Sequence, residues 1–320
     1  MKRSMVLGAL LVLGVLSIAI AAQQAQPEAR VIDVEKVKDN LYVLKGGGGN
    51  TSVFITSTGV VVVDAKNPGW GQPILDKIKT LTNKPITTLI NTHTHGDHVS
   101  GNVEFPASVD IIVQENTAAN MKKMIPNSAS ADQAAPAKTI FDQNNGRGLP
   151  KKTFKDRMTL FSGPDRVELY YFGRGHTNGD AWVLFPALRV VQSADIFLGK
   201  AIPILDANNG GSAVDIATSL QKAYDNLKDV DVIVTGHGGT GASTSSANAL
   251  ATRAELLEYI AFNRDFLNDV RAAKNAGKTA DEVASTWKVP AKYAANGYVP
   301  ADPARLKNNV ALAYKELGAK

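Results

Sequence analysis

Short β-branched runs and longer amphipathic stretches alternate along this chain, and their periods separate strands from helices. Val31 to Leu44 alternates apolar and polar positions in places (Val31, Ile32, Val34; Leu41, Val43), which predicts one or two strands. Thr51 to Thr56 and Val60 to Val63 are split by Ser57-Thr58-Gly59, a hairpin signature. Gln72 to Leu81 carries Ile74, Ile78 and Leu81 at helical spacing. Ile86 to Ile90 predicts a buried strand, Ile111-Ile112-Val113 a short one and Gln114 to Ile125 a helix. Arg166 to Phe172, Ala181 to Phe185, Leu188 to Gln192 and Ile233-Val234-Thr235 predict further strands. Ser212 to Leu227 predicts a helix capped by Ser212. Helical spacing returns within Ser243 to Ala276 (Leu256, Ile260, Leu267, Val270), in Thr279 to Trp287 and in Pro303 to Leu317. Thr279 before Asp281 and Glu282 is an N-cap with early acids. This alternation argues for α/β layers rather than an all-β fold.

Two stretches break the pattern. Gly46 to Gly49 is a glycine run that does not lead into a helix and lacks the Lys-Ser/Thr of a phosphate-binding loop, so it reads as a hairpin tip placed to overhang a pocket. Pro126 to Thr153 is polar, with Ile140-Phe141 as its large apolar pair. Connections of that length border functional sites or are disordered inserts.

The N-terminus carries Lys2 and Arg3, an apolar run from Met5 to Ile20, and small residues in Ala19-Ile20-Ala21-Ala22. This reads as a secretory signal peptide over 1–22, cut after Ala21 or Ala22, with a retained membrane anchor as the alternative. Residues 23–30 form a polar, flexible lead-in. Loss of Lys2 and Arg3, with no acid in 1–22, takes the formal charge from +5 to +3. No Lys/Arg block or basic-aromatic stretch accompanies that charge, so it is no argument for nucleic acid. The chain has 0 Cys. Disulfides and lipidation at the cleavage site are therefore excluded, and every metal ligand must be His, Asp, Glu or another oxygen donor. About 300 mature residues bury a sufficient core without staples.

The five His are the informative residues. Three of them stand in Asn91-Thr92-His93-Thr94-His95-Gly96-Asp97-His98, directly after the strand Ile86 to Ile90. A strand's period of two puts His93 and His95 on the same side. Gly96 lets the backbone turn so that Asp97 and His98 face nearly the same point. His176 follows a strand within Gly173-Arg174-Gly175-His176-Thr177-Asn178-Gly179-Asp180, and His237 follows one within Gly236-His237-Gly238. Asp195 ends another strand, after Ser193-Ala194. All five His thus sit at strand ends near a Gly, which is a poor fit to ordinary core or surface histidines. Neutral imidazoles beside carboxylates are borderline ligands of the kind zinc takes. Asp64 ends the strand Val60 to Val63, either as a strand terminator or as a carboxylate that orients a ligating His.

His93-x-His95-x-Asp97-His98, then Gly175-His176-Thr177, Asp195 and Gly236-His237-Gly238, resembles the metallo-β-lactamase superfamily of hydrolases over about Val31 to Gly239. The resemblance implies a four-layer αβ/βα sandwich over 31–242, with ligands from strand-end loops along one edge. A C-terminal helical extension over 243–320 is expected to pack on the same domain. Carried over by position, His93, His95 and His176 bind one metal, Asp97, His98 and His237 bind a second, and Asp195 bridges them. Two zinc ions per chain are the expected cofactor, and iron or manganese also suits these donors. Two metals roughly 3.5–4 Å apart hold a shared hydroxide that attacks a carbonyl or phosphoryl centre. Asp97 is placed to pass a proton to the leaving atom. Thr94 and Thr177 are candidates to hydrogen-bond ligands, and Asp180 to support them. Lys200 is a candidate to receive a substrate carboxylate, with a solvated surface Lys as the other reading.

One departure narrows the family. Asp195 stands where the best-known β-lactamase subclass carries Cys, and Asp there is similar to glyoxalase II and lactonase members. The leader favours a periplasmic or secreted enzyme and fits antibiotic hydrolysis better than cytosolic thioester chemistry. The expectation is a secreted binuclear zinc hydrolase opening a β-lactam, lactone, ester or thioester. It would take a small-molecule substrate and no nucleic acid, keep no stable membrane anchor after cleavage, and be a monomer or homodimer. The alternatives are an iron-dependent redox member handling oxygen or persulfide chemistry, and a non-catalytic metal-binding protein. The last predicts a lost ligand, and none of the seven positions is lost.

Overall fold

The computed structural model describes residues 30–126, 134–237 and 249–318. The expected leader, nearly all of the lead-in and the boundary near residue 242 lie outside the described residues.

Among these, one sheet holds β1 (Asp33–Lys38), β2 (Leu41–Lys45), β3 (Thr51–Ile55), β4 (Val60–Val63), β5 (Ile86–Ile90), β6 (Asp110–Gln114) and β7 (Lys152–Phe154), side by side in that order. β1 to β4 form an antiparallel meander, and β4 to β7 run parallel. The other sheet holds β8 (Arg157–Leu160), β9 (Val167–Tyr171), β10 (Ala181–Phe185), β11 (Val190–Ala194), β12 (Val232–Thr235) and β13 (Leu250–Ala251), again in sequence order. It is antiparallel except where β11 meets β12.

The period of two sorts side chains between layers. Val61 and Val63 of β4 and Ile90 of β5 share an apolar cluster with Val183 of β10 and Val234 of β12, so this core lies between the sheets. Val60, Val62 and Leu89 face the other way and pack under α1 (Gly71–Leu81), through Ile74 and Ile78. β4 is buried on both faces, which is why it reads as an unbroken valine run. On the far side of the second sheet, Trp182, Val191 and Ile233 join a third cluster. The result is a helix–sheet–sheet–helix sandwich, the architecture that the family resemblance implied.

Four further helices lie toward the middle of the chain: α2 (Gly96–Val99), α3 (Glu115–Met121), α4 (Ile140–Gln143) and α5 (Ile216–Asn226). The C-terminal ones are α6 (Arg253–Asn275), α7 (Ala280–Thr286), α8 (Ala291–Ala294) and α9 (Pro303–Gly318). Leu256, Ile260, Phe266, Val283, Leu306 and Val310 from this group share the third cluster with α5. Thr252 and Thr279 close reciprocal capping boxes with Glu255 and Glu282. No helix among the described residues is long and apolar enough to cross a membrane.

Local departures have physical causes. The helix after β6 stops at Met121 rather than Ile125, and Met124 then takes a left-handed φ of 44°. Ser212 does not cap α5. Its hydroxyl accepts the Asp215 N–H at 3.0 Å, one turn earlier. Within the long polar connection, Phe141 is fully buried and Thr139 closes a capping box with Asp142, so that part is structured.

Candidate metal centre

Every residue of the candidate centre leaves the C-terminal end of a strand. Asp64 follows β4, His93 to His98 follow β5, His176 follows β9, Asp195 follows β11 and His237 follows β12. His93 and His95 lie just beyond β5 rather than on its last residues. Asp64 is the reason. With φ of 65° it turns back, and its carboxylate takes the Thr92 N–H at 2.8 Å, where a ladder carbonyl would otherwise serve. The bent backbone beyond β5 still brings the two rings within 4.7 Å between centroids. Gly96, Asp97 and His98 then open the short helix α2.

Two groups of side chains converge. His93, His95, His176 and Asp195 place one donor atom each within 4.8 Å of one another, and so do Asp97, His98 and His237. Asp195 lies between them. Its Oδ1 is 3.3 Å from His98 Nε2, and its Oδ2 is 3.3 Å from His237 Nε2 and 3.8 Å from His176 Nε2. Asp97 Oδ2 is 3.3 Å from His237 Nε2 and 3.8 Å from His98 Nε2.

The outer nitrogens are held from behind. His98 donates from Nδ1 to Asp64 at 2.8 Å. The Thr92 hydroxyl donates to Asp64 at 2.7 Å and therefore accepts from His93 Nδ1 at 3.0 Å. Asp64 thus orients two imidazoles, one directly and one through Thr92. His176 donates from Nδ1 to the Ile204 carbonyl at 2.7 Å. His95 donates from Nε2 to Asp206 at 2.7 Å, leaving Nδ1 to face the cluster. Such partners fix which nitrogen is free to bind.

This arrangement fits a cation. His93 Nε2 and Asp195 Oδ1 are buried without a hydrogen-bond partner among the described residues. His95 Nδ1 and His176 Nε2, both left as lone pairs by their outer bonds, face each other at 2.9 Å. Buried polar atoms left this way are costly unless something satisfies them, and an ion among the four donors does so.

The electrostatics differ between the groups. Burial, then the neighbouring imidazoles, hold His93 well below the usual histidine range. Burial and His95 bring His176 down to about 4. Burial would also lower His98, but Asp97, Asp195 and Asp64 outweigh it and raise that ring well above its usual range. His237 is pushed up to about 9, with Asp195 and Asp97 overcoming burial. Burial would raise Asp195 and Asp97, yet the surrounding imidazoles hold both below the usual carboxylate range.

Thr177 bonds Asp180 through its N–H at 3.0 Å and its hydroxyl at 2.5 Å, so it supports that carboxylate and not a ligand. Burial raises Asp180 to about 7. Thr94 is buried and its hydroxyl has no partner among the described residues. Lys200 Nζ bonds the Asn296 carbonyl at 2.8 Å, against the C-terminal helices.

Sequence reasoning missed Asp206 and Lys66. Asp206 follows no strand, although Asp-Ala-Asn-Asn-Gly signals a capped turn. Its side chain accepts from the Asn208 and Asn209 N–H groups. Lys66 is fully buried, bonded to the Leu44 and Gly49 carbonyls at 2.8 and 2.7 Å. Burial lowers it to about 7, against the pull of Asp64 and Asp97. It anchors the glycine run, which packs into the site: Gly49 donates to the Asp97 carbonyl at 3.0 Å. A Cβ at Gly49 would land on the His98 ring, and one at Gly236 on the Asp195 carboxylate. These two positions require glycine for close approach.

The metallo-β-lactamase superfamily model matches residues 44–237. The chain belongs to that superfamily. It is 29% identical over 236 residues to a metallo-β-lactamase type 2 of Elizabethkingia meningoseptica, covering 67% of this chain and 80% of that protein. A metallo-β-lactamase from Pontibacter korlensis superposes with a TM-score of 0.56 at 18% identity, covering 73% of this chain and 99% of that one. The stereoselective inverting sec-alkylsulfatase of Pseudomonas sp. gives a TM-score of 0.68 at 16% identity. That match covers 91% of this chain and 51% of the sulfatase, about half its length. As a member of the superfamily, the chain is a metal-dependent hydrolase of small-molecule substrates.

Proposed function

We propose that this superfamily hydrolase is an exported binuclear zinc enzyme that opens a carbonyl-type bond, with β-lactams as the first substrate class and lactones, esters and thioesters beside them. The position of Asp195, with oxygens directed at both groups of histidines, carries the reading of two ions sharing one carboxylate. His93, His95 and His176 hold one ion and Asp97, His98 and His237 the other. When bound, such ions supply Lewis acidity and an acidified water. The protein's own groups do the rest. Asp64 and Asp206 keep the imidazoles in the binding tautomer. Asp97, with 32% of its side chain exposed, is the most open carboxylate of the set. Its carboxylate is the group placed to pass a proton to the leaving nitrogen, oxygen or sulfur. Export rests on the charged, apolar and small-residue order of 1–22.

Hydrolysis of a chromogenic cephalosporin by the mature protein, with and without a chelator and beside His95→Ala, tests the substrate class. Turnover that depends on both metal and His95 supports it. No turnover by protein carrying two zinc ions removes the lactam assignment. A sulfate ester belongs in the same panel, because the sec-alkylsulfatase covers a share of this chain that cannot be reached without the C-terminal helices. Mass analysis of the periplasmic protein tests cleavage after Ala21 or Ala22.

A further inference from the structure

Residues 196–206 connect Asp195 to Asp206 without helix or strand, and nearly all of them are buried. A buried segment with no ladder of its own must find partners for its backbone elsewhere. On one side this segment faces the candidate metal centre. Asp195 begins it, the Ile204 carbonyl accepts from His176, and Asp206 accepts from His95. On the other side it faces the C-terminal helices. The Lys200 carbonyl accepts the Val299 N–H at 3.1 Å, the Ile202 carbonyl accepts from Arg305 at 3.4 Å, and the Pro203 carbonyl accepts from Asn309 Nδ2 at 2.8 Å. Ile196, Phe197, Ile202 and Leu205 sit in the same apolar cluster as Tyr259, Leu306 and Val310.

Asn309 stands out. It is buried in the middle of α9, between Leu306, Val310 and Leu312, and its Oδ1 has no partner among the described residues. An apolar side chain would serve helix packing better than a half-satisfied amide. What the amide supplies is a donor to Pro203, one residue before the carbonyl that orients His176. We propose that the C-terminal helices shape the metal centre through this segment, with Asn309 as a positioning residue for His176, His95 and Asp195. The inference rests on the metal-binding reading and adds a function for helices that contribute no candidate ligand themselves.

The test is a zinc titration of the metal-free, full mature chain against a chromogenic chelator, with the cobalt(II) absorption spectrum as a second readout. Wild type, Asn309→Leu and Val270→Ala are compared. Val270 is buried in the same cluster and bonds nothing in 196–206, so it reports general destabilisation. Asn309→Leu is expected to weaken zinc binding at the His93/His95/His176 group about tenfold and to shift the cobalt spectrum. Val270→Ala should lower the melting temperature and leave both unchanged. Equal zinc affinity and spectrum in Asn309→Leu and wild type overturn the inference. A wild type that binds no metal overturns the functional reading itself. If Asn309→Leu does not fold, Arg305→Met, on a half-buried residue of the same contact, is expected to give a smaller shift in the same direction, and its equality with wild type counts against the inference.

Discussion

The two halves of the centre are made of different material. His93, His95 and His176 are all but shut off from solvent, and burial keeps His93 and His176 below the usual histidine range. Those two are neutral, ready to bind a cation without first losing protons. Asp97 and His237 lie nearer the surface while His98 is fully buried, and carboxylates hold His98 and His237 above that range. There, protons on two imidazoles do the work of a cation, and an incoming metal must displace them. The comparison implies an order of loading: the three-histidine group fills first and more tightly, and the second group fills later with proton release.

The largest expected effect comes from the ligands. His95→Ala should lower turnover by roughly a thousandfold or more, since the ions supply several kcal/mol of charge stabilisation. It should also leave less than one zinc per chain after dialysis, whereas His98→Ala should keep about one. Metal analysis of both variants decides this, and equal retention breaks the asymmetry.

Next come the orienting carboxylates. Asp206→Asn should weaken the first zinc by about 10–100-fold and spare the second, because Asp206 holds His95. Asp64→Asn should weaken both, since Asp64 reaches His98 directly and His93 through Thr92. Competitive zinc titrations of the two variants separate these patterns.

A smaller effect is on pH. Protons compete with the metal, so affinity falls as pH drops below the pKa of a ligand. For the second group that loss begins below about 9, the value of His237, at about tenfold per pH unit for each proton displaced. For His176 it begins only near pH 4. Zinc titrations between pH 6 and about 9 should therefore change the second affinity more steeply than the first.

The smallest is in stability. Lys66 falls to about 7 in the folded chain from 10.5 when exposed. Between those values the unfolded chain binds more protons, so stability rises with pH through that window. Lys66→Met should flatten the rise in melting temperature over the same range.

The residues that sequence reasoning reached were those whose role follows from local pattern. Five histidines beside glycines at strand ends marked the ligands, the resemblance to the superfamily sorted them with Asp97 and Asp195 into two groups, and Asp64 was singled out, with two readings open, because it ends the valine run of β4. The alternation of β-branched and helical stretches gave the layers. What escaped depends on contacts distant in the chain. Asp206 meets His95 across 111 residues of sequence, through a segment with no periodicity. Lys66 follows the rule that lysines are exposed in every local respect, and is buried because two backbone carbonyls need its protons. β7 and β8 are short and polar, so their place at sheet edges is set by partners rather than by their own residues.

On the proposed function, two unequal metal sites share Asp195. Calorimetric titration of the metal-free chain with zinc, in two buffers of different ionisation enthalpy, tests it most directly. Two zinc ions per chain are expected to bind in two phases, the weaker phase releasing protons and the tighter phase releasing few. A single phase at one zinc per chain, or two phases with equal proton release, would contradict it.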